Sequence, residues 1–408
     1  MQKNRIIKLK IKSLIITLIF TLSISYAGES QFGLVNQSLG NIKVPYSASG
    51  LARSYEIANS DSVQLNFRNY STWTNISQTT VTFSLGYNQY WGENRIGTSF
   101  IDNANFDGVF LAIPIQQKKL IFGAGVIPFT SIEQRLSTEG SQLGENFTEK
   151  VYIHGGASKA NFNLVYKVFE TLSVGLGYEY TFGKISEDVR FNIDDDLETV
   201  VDFNSEKKIS GNGVILSAFA TPLPNLNLGI MFRPSVSGEL IKSAESQSEI
   251  FNSDETLDLT LPSELNFGLE YAFNETYSVG ADLVWQDWKN GYEIEGSKVG
   301  QHDTYYHLGF GVERKGSKRK FVKYGTQIDF RLGGFYNQLS TLNNAETVNE
   351  IGFSAGLSLP IQRFSSKIDL AGYIARRGKL SKNFLEETIV GFTFSVSANE
   401  LWFVNLED

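Results

Sequence analysis

Apolar and polar residues alternate along most of this chain. In Leu265 to Phe273 the odd positions are Leu265, Phe267, Leu269, Tyr271 and Phe273, and between them stand Asn266, Gly268, Glu270 and Ala272. Ser173 to Phe182 divides the same way, with Val174, Leu176, Tyr178, Tyr180 and Phe182 set against Gly175, Gly177, Glu179 and Thr181. The split recurs from Tyr277 to Trp285, Tyr306 to Glu313, Tyr324 to Arg331 and Ile351 to Leu359. A strand places successive side chains on opposite faces, whereas a helix returns an apolar residue every three or four positions, so this period predicts strands. They fall near 79–91, 105–115, 118–128, 157–169, 172–185, 211–220, 226–236, 257–273, 277–288, 304–315, 323–336, 349–360, 366–375 and 388–403. The total of fourteen is even, as in single-chain outer-membrane barrels.

The connections between these segments alternate in length. Tight ones are expected at Gln116-Gln117, Glu170-Thr171, 221–225, 274–276, 316–322 and 361–365, and long polar ones at 92–104, 129–156, 186–210, 237–256, 289–303, 337–348 and 376–387. A soluble sandwich has no reason to segregate loop length by end, whereas a membrane barrel has short periplasmic turns and longer outer loops. The expected fold is therefore all-β: a transmembrane antiparallel β-barrel of about fourteen strands with both ends in the periplasm. In hydrocarbon every backbone amide must pair within the protein, and a closed sheet achieves this without a free edge. Its outer face must be apolar with aromatic residues at the interfaces, while the lumen is free to be polar. Glycines on the inward parity, such as Gly175, Gly177, Gly309 and Gly311, either let internal elements approach the wall or only relieve crowding between strands.

The N-terminal residues follow other rules. Lys3, Arg5, Lys8, Lys10 and Lys12 precede an apolar run from Leu14 to Ile24, and Ser25-Tyr26-Ala27 ends in a small residue. This is the pattern of a secretory signal peptide at 1–27, cleaved after Ala27, with an apolar core shorter than the ~20 residues of a membrane span. Residues 28–78 do not alternate; they read as small, polar and helix-tolerant, and such a segment ahead of a barrel at 79–408 is expected to plug it. Composition agrees: 30 Phe, 18 Tyr and 5 Trp suit strands and an aromatic girdle, and 37 Gly suit bends and close approach. The absence of Cys excludes disulfides, thiolate metal sites and a lipid-modified N-terminal cysteine. A net charge of −8 removes the broad basic field of a nucleic-acid binder.

Three stretches then carry a resemblance. They are VFLAIPIQQKKLIFGAGVIPF from Val109, VILSAFATPLPNLNLGIMFRPSV from Val214, and LPSELNFGLEYAFNETYSVGADLVWQDW from Leu261. The last joins a Leu-Pro start, a hairpin and a strand ending in Trp285-x-x-Trp288. In order and spacing they resemble the FadL family of outer-membrane transporters for long-chain fatty acids and other hydrophobic compounds, over most of the chain beyond residue 27. The resemblance implies fourteen strands closed by an N-terminal hatch over 28–78, with substrate captured outside and released sideways into the membrane at a kinked strand. The strand in that place is Leu120 to Pro128, which makes Gly123, Gly125 and Pro128 the lateral-gate candidates, because Pro lacks a donor and Gly a packing side chain. An ordinary strand ending at Pro128 is the alternative. Where the family's hatch carries Asn-Pro-Ala, this chain has Arg68-Asn69-Tyr70-Ser71, so Arg68 and Asn69 are the hatch-junction candidates. Leu401 to Phe403 stands where the family's terminal aromatic signals to the barrel-assembly machinery, although the chain runs on to Asp408.

Charges on the inward parity are the candidates for function: Glu179, Arg233, Glu270, Asp282, Glu313, Asp329, Arg331 and Asp369. They are placed to tie a hatch to the wall, and Arg233 or Arg331 to meet a carboxylate head group; a hydrated lumen without a ligand role is the alternative. The three histidines, His154, His302 and His307, form no catalytic constellation beyond the adjacent His302-Asp303, so no enzyme and no catalytic residue are expected. Asp194-Asp195-Asp196 lacks the ligand spacing and Gly of a calcium loop, and no metal or cofactor is expected. Lys318-Arg319-Lys320, at a periplasmic turn, reads as a headgroup contact. The function expected is passive uptake of hydrophobic small molecules, fatty acids by resemblance, across a Gram-negative outer membrane, with lipid and lipopolysaccharide as surroundings. The alternative is a plugged structural or secretion-accessory barrel.

Overall fold

The alternating segments pair edge to edge into one closed antiparallel sheet in a computed structural model, which describes residues 28–400 apart from 34–38, 143–144, 195–199, 247–252, 301, 320–321 and 362–365. The expected signal peptide, Leu401–Phe403, Asp195, Asp196 and Lys320 lie outside the described residues. The barrel strands are β1 (Thr79–Asn94), β2 (Thr98–Gln116), β3 (Leu120–Gln142), β4 (Glu145–Phe169), β5 (Leu172–Asp194) and β6 (Val200–Leu223). β7 (Leu226–Arg233 and Val236–Ser246) and β8 (Ser253–Leu261 and Glu264–Ala272) are each interrupted once, at Pro234 and Pro262, where proline supplies no ladder donor. Then follow β9 (Tyr277–Gln286), β10 (Tyr305–Arg314), β11 (Asp329–Asn343), β12 (Glu346–Ile361), β13 (Ser366–Gly378) and β14 (Leu385–Glu400), which pairs back onto β1 from Leu385↔Asn94 to Glu400↔Thr79. The sheet is a closed fourteen-stranded β-barrel.

Parity places the side chains as expected. Val174, Leu176, Tyr178, Tyr180 and Phe182 of β5 face outward, and Phe310 and Phe353 are each 66% exposed on the same belt. A barrel that presents such a surface is solvated by lipid rather than water.

The outer ends differ from expectation. β3 to β6 run 23, 25, 23 and 24 residues, far beyond the ~10 that cross a bilayer. The segments expected as loops at 92–104, 129–156 and 186–210 are mostly ladder, joined by connections of only 95–97, 143–144 and 195–199. Above the membrane both faces of the sheet meet water, so the outward positions turn polar while pairing continues. Arg190 there pairs with Asp202 at 2.7 Å and Lys184 with Glu206 at 2.6 Å, across neighbouring strands. At the periplasmic end the strand expected from 323 begins only at Asp329, because Tyr324–Gln327 forms a 3-10 turn.

Residues 39–78 descend through the lumen. Ser47 caps helix α1 (Ala48–Arg53) by accepting from the Gly50 amide, and Ser54 ends it in the left-handed region at φ 57°. Asn69 caps the 3-10 helix Tyr70–Asn75 in the same manner. The hydrophobic core therefore lies inside the barrel. Leu65, Phe67, Tyr70, Trp73 and Ile76 of this segment close around Phe110, Ile121 and Val165 of the wall in the periplasmic half. Farther out Leu39 and Ile57 join Ile132, Ile185, Leu240 and Trp288.

Candidate functional site

The inward charges on the strands meet charges on the lumen segment. Arg233 on β7 donates from Nε to Glu179 of β5 at 2.9 Å and from one terminal nitrogen to Glu264 of β8 at 2.7 Å, and from the other to the Tyr70 hydroxyl at 3.1 Å. Lys159 of β4 also pairs with Glu179, at 2.9 Å, while Asn266 and Gln286 donate to Glu264. Arg68 reaches Glu264 at 3.7 Å and donates to Asn266. Every one of these side chains is buried, and the cluster fixes the lumen segment to β4, β5, β7 and β8.

A second cluster lies across the lumen. Arg331 on β11 donates to Glu313 at 2.7 Å, to Ser358 at 2.5 Å and to Asp329 at 3.2 Å, and lies 3.5 Å from Asp369. Arg53 at the end of α1 joins Glu313 at 3.3 Å, and Lys367 on β13 pairs with Asp61 at 2.6 Å. Between the clusters, Asp282 accepts the amides of Glu56 at 2.6 Å and Ile57 at 3.0 Å, and Glu270 accepts from Asn59 at 3.1 Å and Asn227 at 3.2 Å. Arg233, Arg331, Glu179, Glu270 and Asp282 thus face inward and are buried against protein rather than open to a solute, while Asp329, a quarter exposed, borders a cavity at the periplasmic end with Asp61, Lys315 and Lys367. Asn69 bonds the carbonyls of Ile57 and Ala218, at 3.1 and 3.0 Å, and so joins the segment to β6.

The wall itself is incomplete at one seam. β2 and β3 share only seven pairs, from Gln116↔Leu120 up to Val109↔Val126. At ~3.4 Å per residue and a tilt near 40°, the ladder ends about 18 Å above the periplasmic turn, inside a hydrocarbon band about 25 Å tall. Above that level β2 turns away, through a bulge that leaves Asp107 unpaired against β1 and through Gly108 at φ 146°. A side chain at Gly108 would meet the Phe67 ring at 2.9 Å. On the other edge β3 bulges between Pro128 and Thr130. The chain's own N-terminal residues fill the gap. The Gly28 amide donates to Asp102 of β2 at 3.0 Å and the Glu29 amide to Glu133 of β3 at 2.7 Å, while Asn41 and Ile42 pair with Ser131 and Thr130. Glu29 is buried and ion-paired with Lys43. Pro128 therefore stands two residues above the last pair of the seam. Gly123 and Gly125 lie below it in unbroken ladder, where their missing side chains admit the rings of Trp73 and Phe110.

Behind the seam is a cavity of about 160 Å³. Its walls are Lys43, Val44 and Tyr46 of the segment, Tyr90 and Asp107 of β1 and β2, and His307, Phe335, Tyr373 and Arg377 farther round. His307 is held by the Tyr46 hydroxyl at 2.8 Å and Asn337 at 2.6 Å. His302 sits between Trp288 and Tyr292 in the 287–304 connection, and burial pushes its pKa down to about 4. Its neighbour Asp303 accepts from Thr347 at 2.8 Å instead. His154 stacks on Tyr152 on the outward face of β4. Among the described residues no group of His, Asp and Glu is arranged to hold a metal ion.

Inward parity on a strand was enough to find the wall charges, and it also marks Lys159 and Glu264, which the candidate set lacked. Arg53, Asp61, Glu29 and Lys43 had no such signal, since a segment without a period does not declare what its side chains face.

Comparison with known proteins bears on the same features. The family model described as BamG matches residues 11–406. No curated protein matches the chain by sequence. Among solved structures, a Pseudomonas aeruginosa FadL homologue superposes with a TM-score of 0.59 at 12% identity, covering 88% of this chain and 98% of that one. The Ralstonia pickettii toluene transporter TbuX gives 0.53 at 15% identity over 87% and 98%, and the Pseudomonas putida toluene transporter TodX 0.51 at 15% over 88% and 98%. These likenesses establish a FadL-like barrel fold.

Proposed function

The chain belongs to the BamG family, and from that premise and the geometry of the lumen we propose that it is an outer-membrane barrel for passive passage of hydrophobic small molecules, released sideways through the β2–β3 seam. The observation that carries this reading is the wall that stops pairing at Val109↔Val126 with a cavity directly behind it. Apolar solutes are excluded by the polar lipopolysaccharide layer, so they need shelter across it and an exit into hydrocarbon. A seam that opens within the membrane band supplies that exit. Pro128, Asp107 and Gly108 are its edge, and residues 28–33 and 41–46 are the movable part of its lining. The fatty-acid expectation narrows on volume. A cavity near 150 Å³ holds a molecule of benzene's size, so a long alkyl chain enters only after the N-terminal residues shift. Residues 28–78 are the hatch of this reading, with Arg68 and Asn69 anchoring it at the periplasmic half.

Cells lacking their own transporters and expressing the chain should take up labelled toluene or oleate faster than cells with empty vector. No gain with either compound rejects the reading. The filled lumen and its buried ion clusters favour a second one: a plugged accessory of the barrel-assembly machinery, in keeping with the family's name. On that reading, removing the protein lowers the amounts of unrelated outer-membrane barrels and leaves solute uptake unchanged.

A further inference from the structure

The turn from β10 to β11 stands apart on the periplasmic rim. Other connections there span 117–119, 170–171, 224–225 and 273–276, whereas this one spans 315–328. From Arg314 to Ile328 it carries Arg314, Lys315, Lys318, Arg319 and Lys323 among the described residues and no acidic residue, in a chain of net charge −8. Lys315 is near Glu270 at 3.7 Å, but Lys318, Arg319 and Lys323 are exposed and make no ion pair among the described residues. The described residues of the turn are held by hydrogen bonds. The Lys315 amide donates to Thr276 at 2.7 Å, the Ser317 amide to Thr326 at 2.8 Å, and the Gly316 amide to the Asp329 carboxylate at 2.7 Å. The Tyr324 hydroxyl donates to the Pro360 carbonyl of β12 at 3.2 Å, so the turn lies sideways across the end of β11. Tyr324 and Phe330 are 53% and 46% exposed, and the Arg314 guanidinium lies 5.8 Å over the Phe330 ring.

We propose that this turn is a binding site for the phosphate-bearing headgroups of anionic phospholipids in the inner leaflet of the outer membrane. The site does not depend on what the lumen carries. Tyr and Phe at the rim set its depth at the interface, and basic side chains held there attract anionic headgroups within a Debye length. Arg319 offers a planar fork to phosphate oxygens. An acidic soluble protein is the rival occupant. The sideways lie of the turn favours lipid, because a turn that docks a soluble partner would project from the rim.

The test uses the full chain reconstituted in phosphatidylcholine and phosphatidylglycerol at equal fractions, purified in detergent, with the retained lipids counted by mass spectrometry. Wild type should retain phosphatidylglycerol over phosphatidylcholine by roughly threefold. Lys318→Glu with Arg319→Glu and Lys323→Glu should return the ratio to that of the bulk, and so should ~0.5 M salt. Lys118→Glu with Lys119→Glu, at the β2–β3 turn, should keep the enrichment. Heat-dependent gel mobility verifies that each variant is a folded barrel. Bulk ratios in wild type, or enrichment that survives the triple reversal, overturn the proposal. Displacement by millimolar inorganic phosphate would assign the site to free phosphate, and capture of an acidic periplasmic protein without lipid enrichment would assign it to protein; either result also overturns it.

Discussion

Arg233 joins three elements with one guanidinium: Glu179 of β5, Glu264 of β8 and the Tyr70 hydroxyl of the lumen segment. Replacing it by Met leaves Glu179 with Lys159 alone, at 2.9 Å, and Glu264 with the more distant Arg68, at 3.7 Å. Two buried carboxylates then share one cation fewer, and the loss is expected to be about 3 kcal/mol in urea unfolding of the detergent-solubilised protein. Arg233→Lys should recover little, since an ammonium cannot span both carboxylates. His302 is subject to the opposite constraint. Its ring is buried against Trp288 and Tyr292, and its pKa of about 4 means that the folded 287–304 connection prefers the neutral ring. The unfolded value is near 6.5, so this contribution is complete above pH ~6.5 and is lost as pH falls toward 4. Protection of the amides in 288–303, taken as each exchange rate relative to the intrinsic rate at the same pH, should fall between pH 7.5 and 4.5 in wild type and change less in His302→Phe.

At the level of elements, α1 docks on a patch of wall that has no side chains. The Ser54 carbonyl oxygen lies 1.8 Å from where a β-carbon at Gly309 would stand, and the Arg53 carbonyl oxygen 2.0 Å from that of Gly311. Gly309→Val must therefore displace the end of α1, while the β10 ladder to β9 and β11 stays paired. The expected phenotype is a barrel that keeps its heat-dependent mobility but exposes residues 46–56 to protease; Gly372→Ala, with no atom closer than 3.5 Å to the new carbon, should behave as wild type. The sequence showed the wall more clearly than this internal docking. The periplasmic starts of β1, β5, β7, β9 and β13 were expected at the residues where they occur, 79, 172, 226, 277 and 366. Hydrocarbon on one face and packed lumen on the other enforce alternation there. The outer halves of β3 to β6 lack the alternation that marks a strand because Lys184, Asp188 and Arg190 face water on the outward side, where nothing selects apolar residues.

For the molecule as a whole, the wall charges are legible from parity and Arg68 from the family resemblance, whereas their partners Arg53 and Asp61 are not, because only the fold brings a non-periodic segment to them. The same holds for the seam. Of the three gate candidates, Gly123 and Gly125 lie in paired ladder and Pro128 lies above its last pair, Val109↔Val126, where residues far apart in sequence, Gly28 and Asn41, take the place of the missing strand contacts. That arrangement permits a direct test of whether the seam must open. Asn41 and Ser131 are cross-strand partners, and such pairs have Cα separations compatible with a disulfide. The chain has no native Cys, so Asn41→Cys with Ser131→Cys can form only that bridge within it. Oxidised, the variant holds the N-terminal residues against β3; reduced, it leaves them free. If solutes leave through the seam, uptake should fall to the empty-vector level on oxidation and return with reductant, while either single cysteine behaves as wild type. If uptake is the same in both states, release does not require the N-terminal residues to move, and the cavity behind β2 then serves some role other than passage.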